Sequence, residues 1–396
     1  MIPDFFCAPG EPAQSKMEVY MNKRFCRFFC CLFLVIIPAV PIATILAPKE
    51  DFSAEENRML AEMPALTGEA VWTGDYTEGL AAYVRDRIPL RETLLKIKSL
   101  AEYATLKKEN NNVIAAKNGY LIKRFCYNEE QLKQFEKNLA AAERLCREAE
   151  AYGKPPVFVC APRAMDVLGF LCPSFGEPYD VWAMAEEHGT LSLTGALREK
   201  AEEGQAIWFK TDHHWTTLGA YYAYAELGDV LGYVPFPREA FEEQLVSDDF
   251  WGTTYSACLL PVTRPDKVVS MRFAGDEEFV CTDVSTGTVY RGFYRPEALE
   301  SKDKYEYFLG RNVAHLRIAK DPARPRPSLV IVKDSYAQSL VPFLARHYDI
   351  ELIDLRYFRT DAATTLRSLM DAPSFAGLLI LCNVDSLTGP MGFERL

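Results

Sequence analysis

The sequence predicts an α/β protein. A three-layer α/β/α domain surrounds a mainly parallel sheet, carries a β-rich insertion and follows an N-terminal membrane segment. Three observations lead there. After Pro327, short unbroken apolar runs (Ser328–Val332, Ile350–Asp354, Gly377–Leu381) alternate with stretches at helical spacing. That is the pattern of buried parallel strands joined by covering helices. Between about residues 240 and 310 the runs become short and alternating (Lys267–Phe273, Glu278–Val284, Gly287–Tyr290), broken by Asp, Gly and Pro. Finally, Phe28–Ala47 is uncharged and, at about 20 residues, long enough for a helix to cross a bilayer core.

In chain order, residues 1–27 form a cytoplasmic segment. Its first twenty residues carry no pattern and read as an over-long start, because Met21 opens the more ordinary signal-anchor beginning MNKRF. Lys23, Arg24 and Arg27 precede the apolar run, and Lys49, Glu50 and Asp51 follow it. This bias makes 28–47 a single-pass cell-membrane anchor with everything beyond it extracytoplasmic. A cleaved signal peptide is the rival; the length of the run and Pro48 count against it.

Residues 48–112 read as a helical stalk. Ser53 opens a capped short helix, and Tyr76–Lys108 forms two helices broken at Pro89. The main domain spans 113–396. It opens with a hairpin signal at Lys117-Asn118-Gly119-Tyr120, followed by an amphipathic helix over Glu129–Tyr152 and a buried strand over Pro156–Cys160. A second short strand is expected at Ala206–Phe209, and a helix at Thr216–Leu231. After Ser335 a helix is expected to run to about Tyr348.

The formal charge of −11 disfavours nucleic acid as a partner. The 11 cysteines contain no C-x-x-C, so no zinc knuckle or redox motif is indicated.

Two stretches can carry chemistry. One is Lys210-Thr-Asp212-His213-His214-Trp215, between an expected strand and a helix; the other is Lys333-Asp334-Ser335-Tyr336, where a buried strand ends. In open α/β sheets that edge binds ligands, and a helix N-terminus there offers donors to a developing oxyanion. A serine hydroxyl needs a base in hydrogen-bond reach, and a histidine base needs an acceptor to orient it. The i, i+2 spacing puts the side chains of Asp212 and His214 on one side of an extended loop. Each piece alone has a plainer reading: a helix-capping serine, a structural His-His pair, aromatic residues as core. A metal site built from Asp212, His213 and His214 is a further alternative.

The run Asp-His-His-Trp-Thr-x-x-Gly-Ala-Tyr-Tyr (Asp212–Tyr222) resembles the hallmark of the bacterial DHHW proteins. These sit with the SGNH-hydrolase-like domain of AlgX/AlgJ-type alginate O-acetyltransferases. Phe250-x-Gly252-Thr253, Lys304-Tyr305-x-Tyr307-Phe308-Leu309-Gly310, Val332–Ala337 and Asp354-Leu355-Arg356-Tyr357 are similar to further parts of that group. The resemblance implies an SGNH-type serine O-acetyltransferase or acetylesterase acting on a cell-envelope or secreted polysaccharide. Ser335 would be the nucleophile, His214 the general base and acid, and Asp212 its orienting carboxylate. Asn383 is the oxyanion candidate by topology. His213, Tyr336 and Arg356 are supporting candidates, Arg356-Tyr357 lying where the group's oxyanion glycine has no clear counterpart. No cofactor and no metal are called for. The acyl donor would come from a membrane-bound O-acyltransferase. The alternative is a non-catalytic envelope module that keeps the fold and binds glycan.

Overall fold

The computed structural model describes residues 16–46, 50–173, 180–321, 323–359 and 361–396. The chain divides into two units, residues 1–53 with 58–95 and residues 54–57 with 96–396.

The first unit contains one long helix, Lys16–Leu46, whose window Lys23–Thr44 is long and apolar enough to cross a membrane. Ala47, the last residue of the expected anchor, lies outside the described residues. The expected helix at Ser53 is not formed. Phe52–Ser53 pairs antiparallel with Arg58–Met59, and Asn57 takes a left-handed φ of 50° that ends any helical turn. The guanidinium of Arg58, in the second of these strands, donates to Asp86 through two hydrogen bonds of 2.7 and 2.8 Å. Helices Asp75–Asp86 and Arg91–Ala104 flank Pro89, as the proline predicts.

In the second unit, Val113–Ala115 and Leu121–Lys123 form the expected hairpin, with Asn118 and Gly119 both at positive φ. The main sheet has eight strands: β1 Val157–Ala161, β2 Leu191–Ser192, β3 Val280–Asp283, β4 Val289–Arg291, β5 His315–Ala319, β6 Ser328–Lys333, β7 Asp349–Ile353 and β8 Phe375–Asn383. Their spatial order is β4-β3-β5-β7-β6-β8-β1-β2. The run from β7 to β2 is parallel, while β5, β3 and β4 add an antiparallel edge.

Burial on both faces explains the unbroken apolar strands. Leu329 and Ile331 of β6 enter one core, with helices Thr194–Glu202 and Thr217–Leu231; Val330 and Val332 enter the other, with helices Glu129–Glu150 and Ala362–Met370. The helix Glu129–Glu150 starts at a capping box between Asn128 and Gln131.

Three further expectations, all in the second unit, need correction. Ala206–Phe209 is not a sheet strand. Its backbone turns back on the next segment, Phe209 N–H donating to His214 O (3.3 Å) and Thr216 N–H to Ile207 O (3.0 Å), with an isolated bridge between Trp208 and Trp215. The helix expected from Ser335 to Tyr348 is reduced to two short pieces, Ser335–Ala337 and Val341–Leu344. Pro342 cannot donate within a helix and is accommodated at the start of the second piece. The β-rich insertion divides. Glu242–Phe250 and Asp266–Arg272 pair as a separate bulged ribbon, whereas β3 and β4 join the main sheet through β5, a strand the sequence reading did not single out.

Candidate active site

Ser335 lies two residues past the end of β6, at the carboxyl edge of the parallel strands. Asp334 fixes its backbone: one carboxylate oxygen accepts from Tyr336 N–H (2.9 Å), the other from Asn383 N–H at the end of β8 (2.7 Å). The helical piece that starts at Ser335 is a single three-residue turn, too short to supply a helix dipole.

His214 reaches Ser335 from a different part of the fold. Its Nε2 lies 2.8 Å from Ser335 Oγ, and its Nδ1 lies 2.6 Å from Asp212 Oδ1. An ionised carboxylate only accepts, so Nδ1 carries the proton and Nε2 presents its lone pair to the hydroxyl. The backbone N–H of His214 also donates to Asp212 Oδ1 at 3.0 Å. Asp212 Oδ2 accepts from Thr253 N–H (2.8 Å) and Thr253 Oγ1–H (2.9 Å). Gly252 is required here: a β-carbon at this position would come within 2.3 Å of Asp212 Cβ.

The loop has its own support. Buried Asp266 accepts from Lys210 N–H, Thr211 N–H and the Thr211 hydroxyl at 2.6–2.8 Å. Trp208 Nε1–H donates to His213 O at 3.1 Å. Trp215 Nε1–H donates to Tyr336 O (3.1 Å) and Ser339 Oγ (3.0 Å), tying the histidine loop to the serine turn. The ring of Tyr305 stacks on the His214 imidazole at 3.7 Å and 5°, and its hydroxyl reaches Ser335 O (3.2 Å) and Ser339 Oγ (3.0 Å).

The two histidines differ. The side chain of His213 is 39% exposed and that of His214 is 7% exposed. Burial and then the neighbouring His213 charge push His214 down to about 4, so it rests neutral, as a base must. Burial opposes charging of His213 as well, but the Asp212 carboxylate outweighs it and raises this histidine. Burial would raise Asp212; the two histidines override that and hold it well below the usual carboxylate range.

The supporting candidates are placed variously. His213 Nδ1 meets Thr253 Oγ1 at 2.6 Å, and Tyr336 donates its hydroxyl to His213 O. Asn383 corrects the expectation for an oxyanion donor. Its amide N–H groups donate to Ala161 O (3.0 Å) and Pro162 O (3.1 Å), and its Oδ1 accepts from Asp385 N–H, so it braces the ends of β1 and β8. Arg356 is committed to Asp354 through Nε (2.8 Å) and Nη2 (2.7 Å), beside buried Lys333. Asp212, His213 and His214 bring potential metal-ligand atoms within 4.8 Å of one another, but His214 already uses both ring nitrogens.

Sequence reasoning assigned no role to Thr253, Tyr305 or Asp266. The first two lie inside runs that carry the family resemblance, which was the available signal.

Fold and site together define an α/β chain with a mainly parallel sheet and a buried His–Asp pair aimed at a serine just past a strand end. Residues 183–353 match the DHHW protein family. Among solved structures, a DHHW family protein from Eubacterium siraeum is similar at a TM-score of 0.57 and 18% identity, over 72% of this chain and 96% of that one. PatB1 of Bacillus cereus is similar at 0.57 and 18%, over 72% and 99%, and a PatB1 structure with a sulfonyl adduct at 0.54 and 18%, over 72% and 99%. No curated protein matches.

Proposed function

We propose that this protein is an SGNH-type serine acyltransferase, an O-acetyltransferase or acetylesterase that works through an acyl-serine intermediate. The continuous line from Asp212 through His214 to Ser335 Oγ is the observation that carries this reading. Ser335 Oγ attacks the acyl carbonyl as His214 Nε2 takes the hydroxyl proton. That proton then passes to the leaving oxygen, and the acyl group stays on the serine. An incoming hydroxyl loses its proton to His214, attacks the ester and releases Ser335. Sugar hydroxyls of a cell-envelope or secreted polysaccharide make this a transferase, and water makes it an esterase.

The helix Lys23–Thr44 supports a single-pass membrane anchor, and its basic flank supports an extracytoplasmic site. Acetyl-CoA is not available there, so the acyl group comes from a partner such as a membrane-bound O-acyltransferase.

The test is acetyl release from p-nitrophenyl acetate, with mass spectrometry of the intact chain. A sulfonyl fluoride should modify Ser335, in line with the adduct recorded for PatB1. Ser335→Ala and His214→Ala should each lose turnover by several orders of magnitude while remaining folded. Full activity in Ser335→Ala would overturn the reading.

A further inference from the structure

A pocket of about 830 Å³ lies behind the histidine loop, within the second unit. Its size is in the range of small-molecule sites, roughly 300–1,000 Å³. The Tyr120 turn, the Trp208–Lys210 segment, the start of helix Thr217–Leu231, the segment 261–265 and the strand Asp266–Arg272 wall it. Two hydrogen bonds pin those walls: Thr263 Oγ1–H to Gly119 O (2.6 Å) and Thr217 Oγ1–H to Val269 O (2.5 Å). The interior is mostly apolar, from Pro261, Val262, Pro265, Val269, Met271 and Leu218.

The charges around the pocket have one dominant sign. Lys210, Arg264 and Lys267 line it, and among the described residues none of the three makes an ion pair; Lys210 Nζ lies 5.5 Å over the Tyr120 ring. Of the two acids in the lining, Glu243 is held by Arg238 at 2.6 Å. The other, Asp266, is buried with its oxygens on Lys210 N–H, Thr211 N–H and the Thr211 hydroxyl. In a chain of net charge −11, three cations without an ion pair at one apolar pocket are a specific feature.

We propose that this pocket binds an anionic amphiphile, a single apolar chain ending in a carboxylate or comparable headgroup. The apolar lining suits a hydrocarbon chain, which needs no hydrogen bonds. A sugar would lose many of its own there. The cations select a negative head over a neutral one.

The experiment uses the full chain in discs of zwitterionic lipid and a diazirine-bearing dodecanoate, with photolabelled peptides mapped by mass spectrometry. Label is expected on peptides spanning 206–218 and 261–271, competed by excess dodecanoate. A diazirine dodecanol should label the Lys23–Thr44 helix but not the pocket. The surface double variant R264E/K267E should lower pocket labelling about ten-fold. Val269→Trp, which fills the cavity, should abolish it. Labelling confined to the helix, equal pocket labelling by the alcohol, or unchanged labelling in R264E/K267E would each overturn the proposal. None of these readouts depends on esterase or transferase activity.

Discussion

Tyr305 lies flat on His214, ring over ring at 3.7 Å, while its hydroxyl bonds to the backbone oxygen of Ser335. One side chain therefore contacts both His214 and Ser335. Tyr305→Leu removes the platform and should lower kcat about 10–100-fold with KM little changed. Tyr305→Phe keeps the stacking and should lose much less. Steady-state kinetics on both variants checks this; equal losses would assign the effect to the hydroxyl.

The pH profile should report the histidine pair. His214 must be neutral to accept the serine proton, and its value is pushed down to about 4. Activity should therefore hold through mildly acidic pH and fall as pH drops through that value. Part of the lowering comes from the charge on His213. His213→Asn removes that charge, so protonation of His214 becomes easier and the acid limb of kcat/KM should move to higher pH. A limb that stays in place would show that the His213 charge does not reach His214.

Gly252→Ala tests the packing around Asp212. The new methyl would stand within 2.3 Å of Asp212 Cβ, so either the loop or the following helical turn must shift. Overpacking of this kind costs about 1–3 kcal/mol. Thermal denaturation should show a lower Tm, and turnover should fall further than stability alone explains, because Asp212 orients the His214 ring.

The apolar helix Lys23–Thr44 gives a prediction in cells. With positive residues ahead of the apolar helix, the chain beyond residue 50 should be outside. A protease added to intact cells should degrade it, followed by immunoblotting for a tag after residue 396. Protection until the cells are lysed would place the domain on the other side.

Much of this architecture was legible in sequence because its signals are local. The run Ser328–Lys333 is apolar at every position but its ends, as a strand buried on both faces must be. Asp212 and His214, two residues apart, are also a local signal, and the pairing they suggest is the one found. What escaped depends on distant partners. Ala206–Phe209 has a strand's composition, yet its hydrogen bonds go to its own loop, and periodicity cannot distinguish the two. Thr253 meets Asp212 across 41 residues and Tyr305 meets Ser335 across 30, and nothing local marks either contact. Asn383 sits at the topologically expected strand end, but whether its amide faces the serine or braces two strands is decided by the carbonyls of Ala161 and Pro162.

The position of β8 has a consequence for when the serine can meet its base. Although last in sequence among the sheet strands, β8 lies in the interior, between β6 and β1. Until it inserts, the half of the sheet that carries Ser335 has no hydrogen-bonded ladder to the half that holds β1 and β2. The serine and histidine are themselves 121 residues apart. Contacts of such separation form late, because the loop-closure entropy must be met before they contribute stability. Ser335 and His214 are therefore not held together by a complete sheet until β8 has been inserted. The Asp212–His214–Ser335 line is thus among the last features that folding completes.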